Sequence, residues 1–432
     1  MKARVALAHL HRDLVRVHFA ATSVLPLIAA AEPKTLLVVR KLTRALDRIL
    51  YPWLPEDTAD LVDIDSPRAP WKQATTGLVF SVGRGYMRHA LVCIANVRQH
   101  LGMRDMPVTI AYAGDRDLPP KYRDVMVQQV GQLDWLDLEK VLGGPEVIRK
   151  YEVKGWATKA FALLFAPYQH SILVDADTIF LQPPTPLLTT ADPGYLATGT
   201  LFFHDRTLFP AKRYEMLDWV TKWLPSASPH ARQTRHWRGL SAHEMESGVV
   251  AVDKARPGVM LTLLMMVAMN TQPLRGEQVY KVMHGDKETY FLAAEAVREL
   301  YTFMPGFGGT IGYLPAADRP HIKQPGRTTC GLLLHTDRAG EPVWFNGGVE
   351  KDKYAGDGEL FNATHWVRDV DGKDVDWEFG DEVLDGFCMT KKGDEGEPRE
   401  VSGELAALID GLKGSYLKMK EAVGEDMWLG KA

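Results

Sequence analysis

The amino-acid sequence predicts an α/β fold: a mixed, mostly parallel sheet flanked by helices, with a helical appendage at the N-terminus. Two observations support this prediction. From Gly77 onwards, short apolar runs typical of buried strands alternate with helical patterns. Such alternation is typical of a parallel sheet that helices cover on both faces. Before Gly77, apolar residues recur only at helical spacing.

The appendage is predicted to comprise residues 1–70, and the main domain residues 71–432. Helical spacing of apolar residues runs over 5–17 and again over 36–50. A stretch rich in Pro, Asp and Trp follows and ends at Trp71. We interpret this region as an addition to the main domain, outside its chemical core.

The first half of the main domain shows the alternation most clearly. Runs of Leu, Ile, Val and Phe predict strands, and apolar residues three or four apart predict the helices between them. In chain order the elements are strand 78–82, helix 87–100, strand 107–112, helix 156–165 and strand 171–174. Ligands of such sheets bind beyond the carboxyl ends of the strands. Gly83 to Gly85 and Asp175 to Asp177 should both lie there.

The second half of the main domain has a more mixed pattern. The predicted elements are strand 200–203, strand 248–252, helix 259–269, helix 287–300, strand 331–335 and the amphipathic helix 405–423. The segment 369–399 is charged and rich in Gly, so we expect a surface excursion there.

Charge and apolar patterning limit the partners. The formal net charge is −4 and the chain has no long basic run, which argues against a nucleic-acid partner. The most apolar N-terminal stretch, 19–31, is too short to span a bilayer and contains Pro26. Membrane attachment would therefore need an anchor outside this sequence. A glycosylation sequon at Asn362 fits a secretory location.

The three cysteines, Cys93, Cys330 and Cys388, lack the CxxC spacing of a structural zinc site. The pattern favours three buried thiols. The alternative is one bridge, between Cys330 and Cys388, in an oxidising compartment.

The strongest chemical signal is a pair of carboxylates, Asp175 and Asp177, at the end of the apolar run 172–174. Carboxylate oxygens suit hard divalent ions such as Mg²⁺ or Mn²⁺, which share their remaining sites with phosphate oxygens. An ion held in this way neutralises the charge that develops on a departing nucleoside diphosphate.

Several motifs, in the same order along the chain, resemble the fungal α-mannosyltransferase family that extends the outer chains of glycoproteins by α-1,2 or α-1,3 linkage. The likeness covers roughly residues 77–348. The motifs that carry it are 77–85, 107–117, 159–164, 172–178, 180–183, 246–250, 285–289 and 330–335.

This resemblance implies a GT-A fold and a retaining glycosyltransferase that uses Mn²⁺ or Mg²⁺. It also implies a nucleotide-sugar donor, GDP-mannose in the best-known members, a glycan or glycoprotein acceptor, and residence in the Golgi lumen. By the same resemblance, Asp175 and Asp177 hold the metal and the diphosphate, and Lys159 contacts phosphate or sugar. Glu246 is expected near the donor sugar and Asp286 beside the anomeric centre, although Asp286 could instead only cap a helix.

The resemblance assigns further residues to the nucleotide and the metal. Arg84 is expected to reach the nucleotide, and Gly83 and Gly85 to let the backbone approach it. His335 is the expected third metal ligand. Some relatives have a histidine a few residues later, where this chain reads Trp-Phe-Asn-Gly-Gly over 344–348.

Acceptor binding is assigned only by residue type. Aromatic faces stack on sugar rings, and the candidates for this contact are His236, Trp237, His243 and Trp344.

Three alternative functions remain. A GT-A enzyme could use a UDP-sugar, and a non-catalytic carbohydrate-binding protein could retain the fold. A haloacid-dehalogenase-like phosphatase also has DxD after an apolar strand. That motif requires Thr or Val where this chain has Ile179, and a GDxxxD where Asp286 is followed by Lys-Glu-Thr-Tyr.

Overall fold

The computed structural model describes residues 1–20, 33–55, 72–187, 192–209, 213–224, 226–316, 324–352, 359–378, 387–393 and 396–431. The strands are β1 (Lys72–Ser81), β2 (Val108–Tyr112), β3 (Asp134–Asp137), β4 (Tyr168–Val174), β5 (Thr178–Phe180), β6 (Thr200–His204), β7 (Met245–Asp253), β8 (Phe307–Tyr313), β9 (Thr328–Thr336), β10 (Pro342–Asn346), β11 (His365–Asp369), β12 (Val375–Glu378), β13 (Phe387–Lys391) and β14 (Arg399–Glu400).

The helices are α1 (Lys2–Phe19), α2 (Pro33–Leu50), α3 (Met87–Ala95), α4 (Pro120–Val130), α5 (Leu138–Val141), α6 (Pro145–Tyr151), α7 (Ala157–Phe165), α8 (Pro184–Leu187), α9 (Pro193–Thr198), α10 (Arg213–Trp223), α11 (Arg235–Arg238), α12 (Pro257–Met269), α13 (Tyr280–Val282), α14 (Thr289–Val297), α15 (Gly403–Val423) and α16 (Glu425–Trp428).

The first sheet has the strand order β3-β2-β1-β4-β7-β6. Strands β3, β2, β1 and β4 run parallel, whereas β7 is antiparallel to both β4 and β6. The predicted α/β fold with a mixed, mostly parallel sheet is therefore confirmed, and the arrangement agrees with the GT-A expectation.

The reversal at β7 positions the site. Because β7 runs against β4, its first residues lie beside the last residues of β4. Val174 pairs with Val249, and the Asp175 backbone N–H donates to the Gly248 carbonyl over 2.8 Å. The residues that open β7 are thereby brought to the carboxyl end of the parallel strands.

The second sheet is antiparallel and follows the order β12-β13-β9-β8-β11-β14, with β10 joining β9 to β5. It contains β12 and β13, so the segment 369–399, predicted to be a surface excursion, belongs in part to this sheet. Most of residues 370–378 are exposed as predicted, but β13 is not. β13 lies between β12 and β9, and its residues 388–391 are buried. Short strands of this charged, Gly-rich composition carry a weak apolar pattern.

The prediction of three free thiols is also wrong. Cys330 in β9 and Cys388 in β13 lie opposite each other and form a disulfide. Cys93 is a free, buried cysteine.

Helices α1 and α2 pack on the main domain. Val5, Ala8, Leu46 and Leu50 are buried in one core cluster with residues of α7. The domain boundary at residue 70 stays a prediction, since the stretch 56–71 and most of 19–31 lie outside the described residues. Among the described helices, we find none with the length and apolar character of a membrane span.

Candidate active site

Charged side chains from four parts of the chain meet at the carboxyl end of β4. Asp175 and Asp177 follow β4 directly, and Lys159 projects from α7. Glu246 comes from the start of β7, and Asp286 precedes α14 by three residues. All five were predicted as site residues from the sequence, and the structure brings them together.

Lys159 is the central cation of this group. Its Nζ lies 2.7 Å from Asp175 Oδ1 and 3.3 Å from Asp286 Oδ2, and donates to Ser247 Oγ over 3.0 Å. The residue is buried, which disfavours its charged form, but Asp175 and Asp286 outweigh burial and raise its pKa. Lys159 is therefore a fixed positive charge, and its burial distinguishes it from a solvated lysine on a helix surface.

The Asp175–Asp177 pair is held by backbone hydrogen bonds. The Thr178 N–H donates to the Asp175 carbonyl over 3.0 Å. The N–H groups of Gly347 and Gly348 donate to the Asp177 carbonyl over 3.0 and 2.7 Å. Loss of hydration raises the pKa of Asp175 to about 6, with Lys159 opposing and the nearby Asp177 adding to this shift.

Glu246 is held by a lysine that the sequence analysis missed. Lys287 Nζ lies 2.5 Å from Glu246 Oε2 and 3.0 Å from Asp205 Oδ2. Glu246 Oε1 also accepts the Gly248 N–H over 3.0 Å. The available signal was the position of Lys287, directly after Asp286 in one of the recognised motifs.

Asp286 faces the site and does not cap α14 with its side chain. Its Oδ2 accepts the Tyr290 hydroxyl over 2.8 Å, and the same oxygen faces Lys159. The N-cap position of α14 is Glu288. The capping alternative therefore does not account for the Asp286 carboxylate.

Two cavities meet at these residues. The larger, about 900 Å³, is lined by Gly83, Asp117 and Asp177 among others. The smaller, about 400 Å³, is lined by residues that include Glu246 and Asp286. Trp156, Lys159 and Asp175 line both cavities. A two-part ligand can therefore occupy both, with its junction beside Lys159 and Asp175.

Three predicted site residues lie apart from this cluster. Arg84 and Gly85 do not line either cavity, although the Arg84 N–H donates to the Asp117 carbonyl over 2.9 Å. His335 stacks on Trp344 with 4.1 Å between ring centroids, and burial lowers its pKa to about 3. The structure does not bring His335 to the two carboxylates, so its role as a metal ligand stays a prediction.

The four residues predicted to stack on the acceptor sugar are buried or only partly exposed. Trp344 and His236 are buried, and His236 Nδ1 lies 3.0 Å from the Ala242 carbonyl oxygen. Trp237 and His243 are only partly exposed, and none of the four lines the two cavities. Trp156, which the sequence analysis missed, is 53% exposed and lines both.

The two carboxylates suit a divalent cation by their chemistry, because both offer hard oxygen donors at one cavity wall. Within the described residues, no set of three or more His, Cys, Asp or Glu side chains is arranged for a metal ion. An ion held by Asp175 and Asp177 alone would have to take its remaining ligands from other groups, such as a diphosphate or water.

Solved glycosyltransferase structures include distant likenesses. The mannosyltransferase Ktr4p from S. cerevisiae in complex with GDP is 12% identical, with a TM-score of 0.34 over 54% of this chain and 68% of that chain. The galactosyltransferase LgtC, in complex with donor and acceptor sugar analogues, is 11% identical, with a TM-score of 0.34 over 54% and 73%. At these TM-scores neither structure supports an inference about the function of this chain.

Curated relatives are fungal. "Putative alpha-1,3-mannosyltransferase MNN12" of Candida albicans is 30% identical over 46% of this chain and 25% of its own length. "Probable alpha-1,3-mannosyltransferase MNT4" of Saccharomyces cerevisiae is 26% identical over 50% and 39%. The alpha-1,3-mannosyltransferase MNN1 of the same yeast is 23% identical over 67% and 44%. The chain thus spans less than half the length of these relatives.

The family model described as "Mannosyltransferase putative" matches residues 75–337. The match begins in β1, ends just beyond β9 and includes all five clustered residues. Since it covers more than half of the chain, the protein belongs to this family of mannosyltransferases.

Proposed function

We propose that the protein transfers mannose from GDP-mannose to a glycan or glycoprotein acceptor, with retention of the anomeric configuration. The observation that carries this proposal is the meeting of Asp175, Asp177, Lys159, Glu246 and Asp286 where two cavities join. The family membership supports mannose as the transferred sugar. The larger cavity suits the nucleoside diphosphate, and the smaller one the sugar and the acceptor hydroxyl.

In this proposal Asp175 and Asp177 hold Mn²⁺ or Mg²⁺, which would supply charge neutralisation to the departing diphosphate. Lys159 adds a second, fixed cation at the junction of the cavities. Because its pKa is raised, it remains protonated at neutral pH and stabilises negative charge that develops beside it. Its contacts with Asp175 and Ser247 hold the ammonium group in place.

Glu246 and Asp286 line the smaller cavity and face the sugar in this proposal. In the reaction the bond from the anomeric carbon to the phosphate oxygen breaks, and a bond to the acceptor oxygen forms on the same face. The hydroxyl proton passes to an oxygen of the leaving diphosphate. In the alternative route a carboxylate attacks first and forms a covalent intermediate, which the acceptor then displaces.

The Golgi location belongs to the same proposal. A disulfide between Cys330 and Cys388 supports it, because such bonds persist in oxidising compartments such as the secretory pathway.

A thermal-shift panel of nucleoside diphosphates, with and without Mn²⁺, tests the donor and the metal together. GDP should raise Tm most, and only with the ion present, because the diphosphate and the two carboxylates share it. Asp177→Asn should abolish the shift, whereas Asp218→Asn on the exposed face of α10 should leave it unchanged.

Other results would favour the alternatives. A shift with UDP alone would overturn GDP-mannose in favour of a UDP-sugar. If the protein binds Mn²⁺ and a nucleotide sugar but shows neither sugar transfer nor slow hydrolysis of the donor, a non-catalytic sugar-binding protein is favoured.

A further inference from the structure

Two consecutive side chains of opposite charge, Arg116 and Asp117, line the larger cavity in the loop after β2. Asp117 Oδ2 accepts the Ala113 N–H over 3.0 Å, which fixes the carboxylate. Its Oδ1 lies against Gly83, where an added Cβ would approach it to 2.5 Å. Neither Arg116 nor Asp117 forms an ion pair in the described part of the chain, so both have hydrogen-bonding capacity to offer a ligand.

The sheet places these residues at a distance that suits a nucleotide. β2 and β4 pair with opposite edges of β1. Neighbouring strands are about 4.8 Å apart, so the ends of β2 and β4 lie roughly 10 Å apart. Asp117, Asp175 and Asp177 line the same cavity beyond these strand ends. With the diphosphate beside Asp175 and Asp177, as the proposed function has it, the base would reach the loop that carries Asp117.

The Arg116–Asp117 pair matches one nucleobase better than the others. The Watson–Crick edge of guanine presents the O6 acceptor and then two donors, N1–H and the N2 amino group. A carboxylate accepts two such N–H groups side by side, and a guanidinium donates to O6. Uracil presents a single N–H between two carbonyl oxygens, so it would leave one carboxylate oxygen unpaired and facing a carbonyl.

We propose that Asp117, assisted by Arg116, reads the guanine edge and determines the base specificity of the donor. This inference rests on the proposed function, since it requires a nucleoside diphosphate in the larger cavity. The role of Gly83 follows from it: any side chain at that position would displace the Asp117 carboxylate.

Calorimetric titration of the wild-type protein in saturating Mn²⁺ gives the first test. IDP lacks the N2 amino group and should bind about 10-fold more weakly than GDP, because one charge-assisted hydrogen bond is lost. UDP should bind about 10- to 100-fold more weakly than GDP. Equal affinities for GDP and IDP would overturn the inference without any need for a variant.

The second test replaces Asp117, the side chain proposed to bind the Watson–Crick edge of guanine. In Asp117→Asn the amide oxygen can still accept the Ala113 N–H, so the loop is kept. The amide accepts N1–H and donates to the O2 of xanthine, so the variant should bind XDP more tightly than GDP. It should lose about 10- to 100-fold in GDP affinity. Asp115→Asn is the matched control, since Asp115 is exposed, pairs with Arg123 and does not line the cavity.

The outcomes separate this inference from the proposed function. If the wild type binds GDP with Mn²⁺ but Asp117→Asn weakens GDP, XDP and UDP equally, or none of them, base reading by Asp117 is wrong and the donor proposal stands. If the wild type binds no nucleoside diphosphate, both fail.

Discussion

At the residue scale, the site is a set of carboxylates that share two lysines. Lys159 lies between Asp175 and Asp286, and Lys287 lies between Glu246 and Asp205. Each lysine is therefore surrounded by more negative charge than it can neutralise alone. A buried carboxylate that loses such a partner is left with uncompensated charge, so the two lysines stabilise the site as well as serving its chemistry.

Lys287→Met tests the structural half of this argument. The substitution leaves Glu246 buried without its cation and Asp205 with only the longer contact to Arg206, 3.5 Å from Nε to Oδ1. Both carboxylate side chains are only 2% exposed. Breaking a buried pair in this way costs about 3–5 kcal/mol of the free energy of unfolding, measured by urea denaturation. Lys222→Met is the matched control, because its pair with Asp218 is exposed and worth about 0.5 kcal/mol. Equal losses in the two variants would contradict the argument.

The sequence placed candidate residues at one edge of the sheet where a strand end or a motif marked their positions. Asp175 and Glu246 could be predicted because a strand carries each of them to the same edge of the sheet. His335 could not be judged from its pattern. Leu334 and His335 are adjacent in β9, so their side chains point to opposite faces of the sheet, and both are buried. When both faces are buried, the sequence pattern does not show whether His335 points towards the site.

Ion pairs between residues far apart in the chain could not be predicted from the sequence. The Lys287 contacts join residues 41 and 82 positions apart. No local pattern reports separations of that size, so Lys287 and Asp205 emerge only when the strands are assembled.

At the element scale, α7 is fixed at its C-terminal end by a buried lysine. Lys254 Nζ donates to the carbonyls of Leu163 and Leu164 over 3.4 Å each, and also to the Ala166 carbonyl. These are among the carbonyls that a helix end leaves without partners, and a cation there also complements the helix dipole. Since Lys159 projects from the same helix, Lys254 indirectly holds the site.

Lys254 gives a pH dependence with a definite sign. Burial lowers its pKa to about 7, against 10.5 in the unfolded chain. Between these values the unfolded state binds more protons than the folded state, so the stability contribution rises as pH increases. Below pH 7 both states are protonated and the penalty is constant.

The measurement is Tm from pH 6.5 to 9.5 for the wild type and Lys254→Met. We expect the difference in stability to move in favour of the wild type as pH rises, because Met has no proton to release. Parallel curves across this range would show that Lys254 keeps its charge in the folded protein.

The elements of the two sheets differed in how well the sequence predicted them. β1, β2 and β4 were all predicted, because each contains an apolar run that is buried in the core of the sheet. In β1 and β4 this run is only the C-terminal part of the strand. β12 and β13 were not predicted, since both strands are short, β12 is partly exposed, and both lie in a segment dominated by charge and Gly. The pairing of β13 with β9 depends on a partner far back along the chain.

At the whole-molecule scale, α1 and α2 share one hydrophobic core with the helices of the main domain. The connection reaches the site helix directly. Trp53, just after α2, is 2% exposed and packs edge-on against Phe161 of α7, with 5.3 Å between ring centroids. Phe161 follows Lys159 by two residues, so the N-terminal region supports the element that carries the central cation.

Trp53→Ala decides whether the first 70 residues are an appendage or part of one folding unit. Removing a buried Trp should cost about 3–5 kcal/mol in the free energy of unfolding, because the cavity lies between α7 and the N-terminal helices. Leu37→Ala is the control on α2, since Leu37 is 53% exposed and its loss should change stability by less than about 0.5 kcal/mol. If the region is integral, one cooperative transition moves to lower urea and GDP affinity in Mn²⁺ weakens with it, because α7 loses its packing on one face. A separate early transition that leaves the main unfolding step and GDP binding unchanged would instead establish residues 1–70 as an independent appendage, the interpretation that the helical spacing alone suggested.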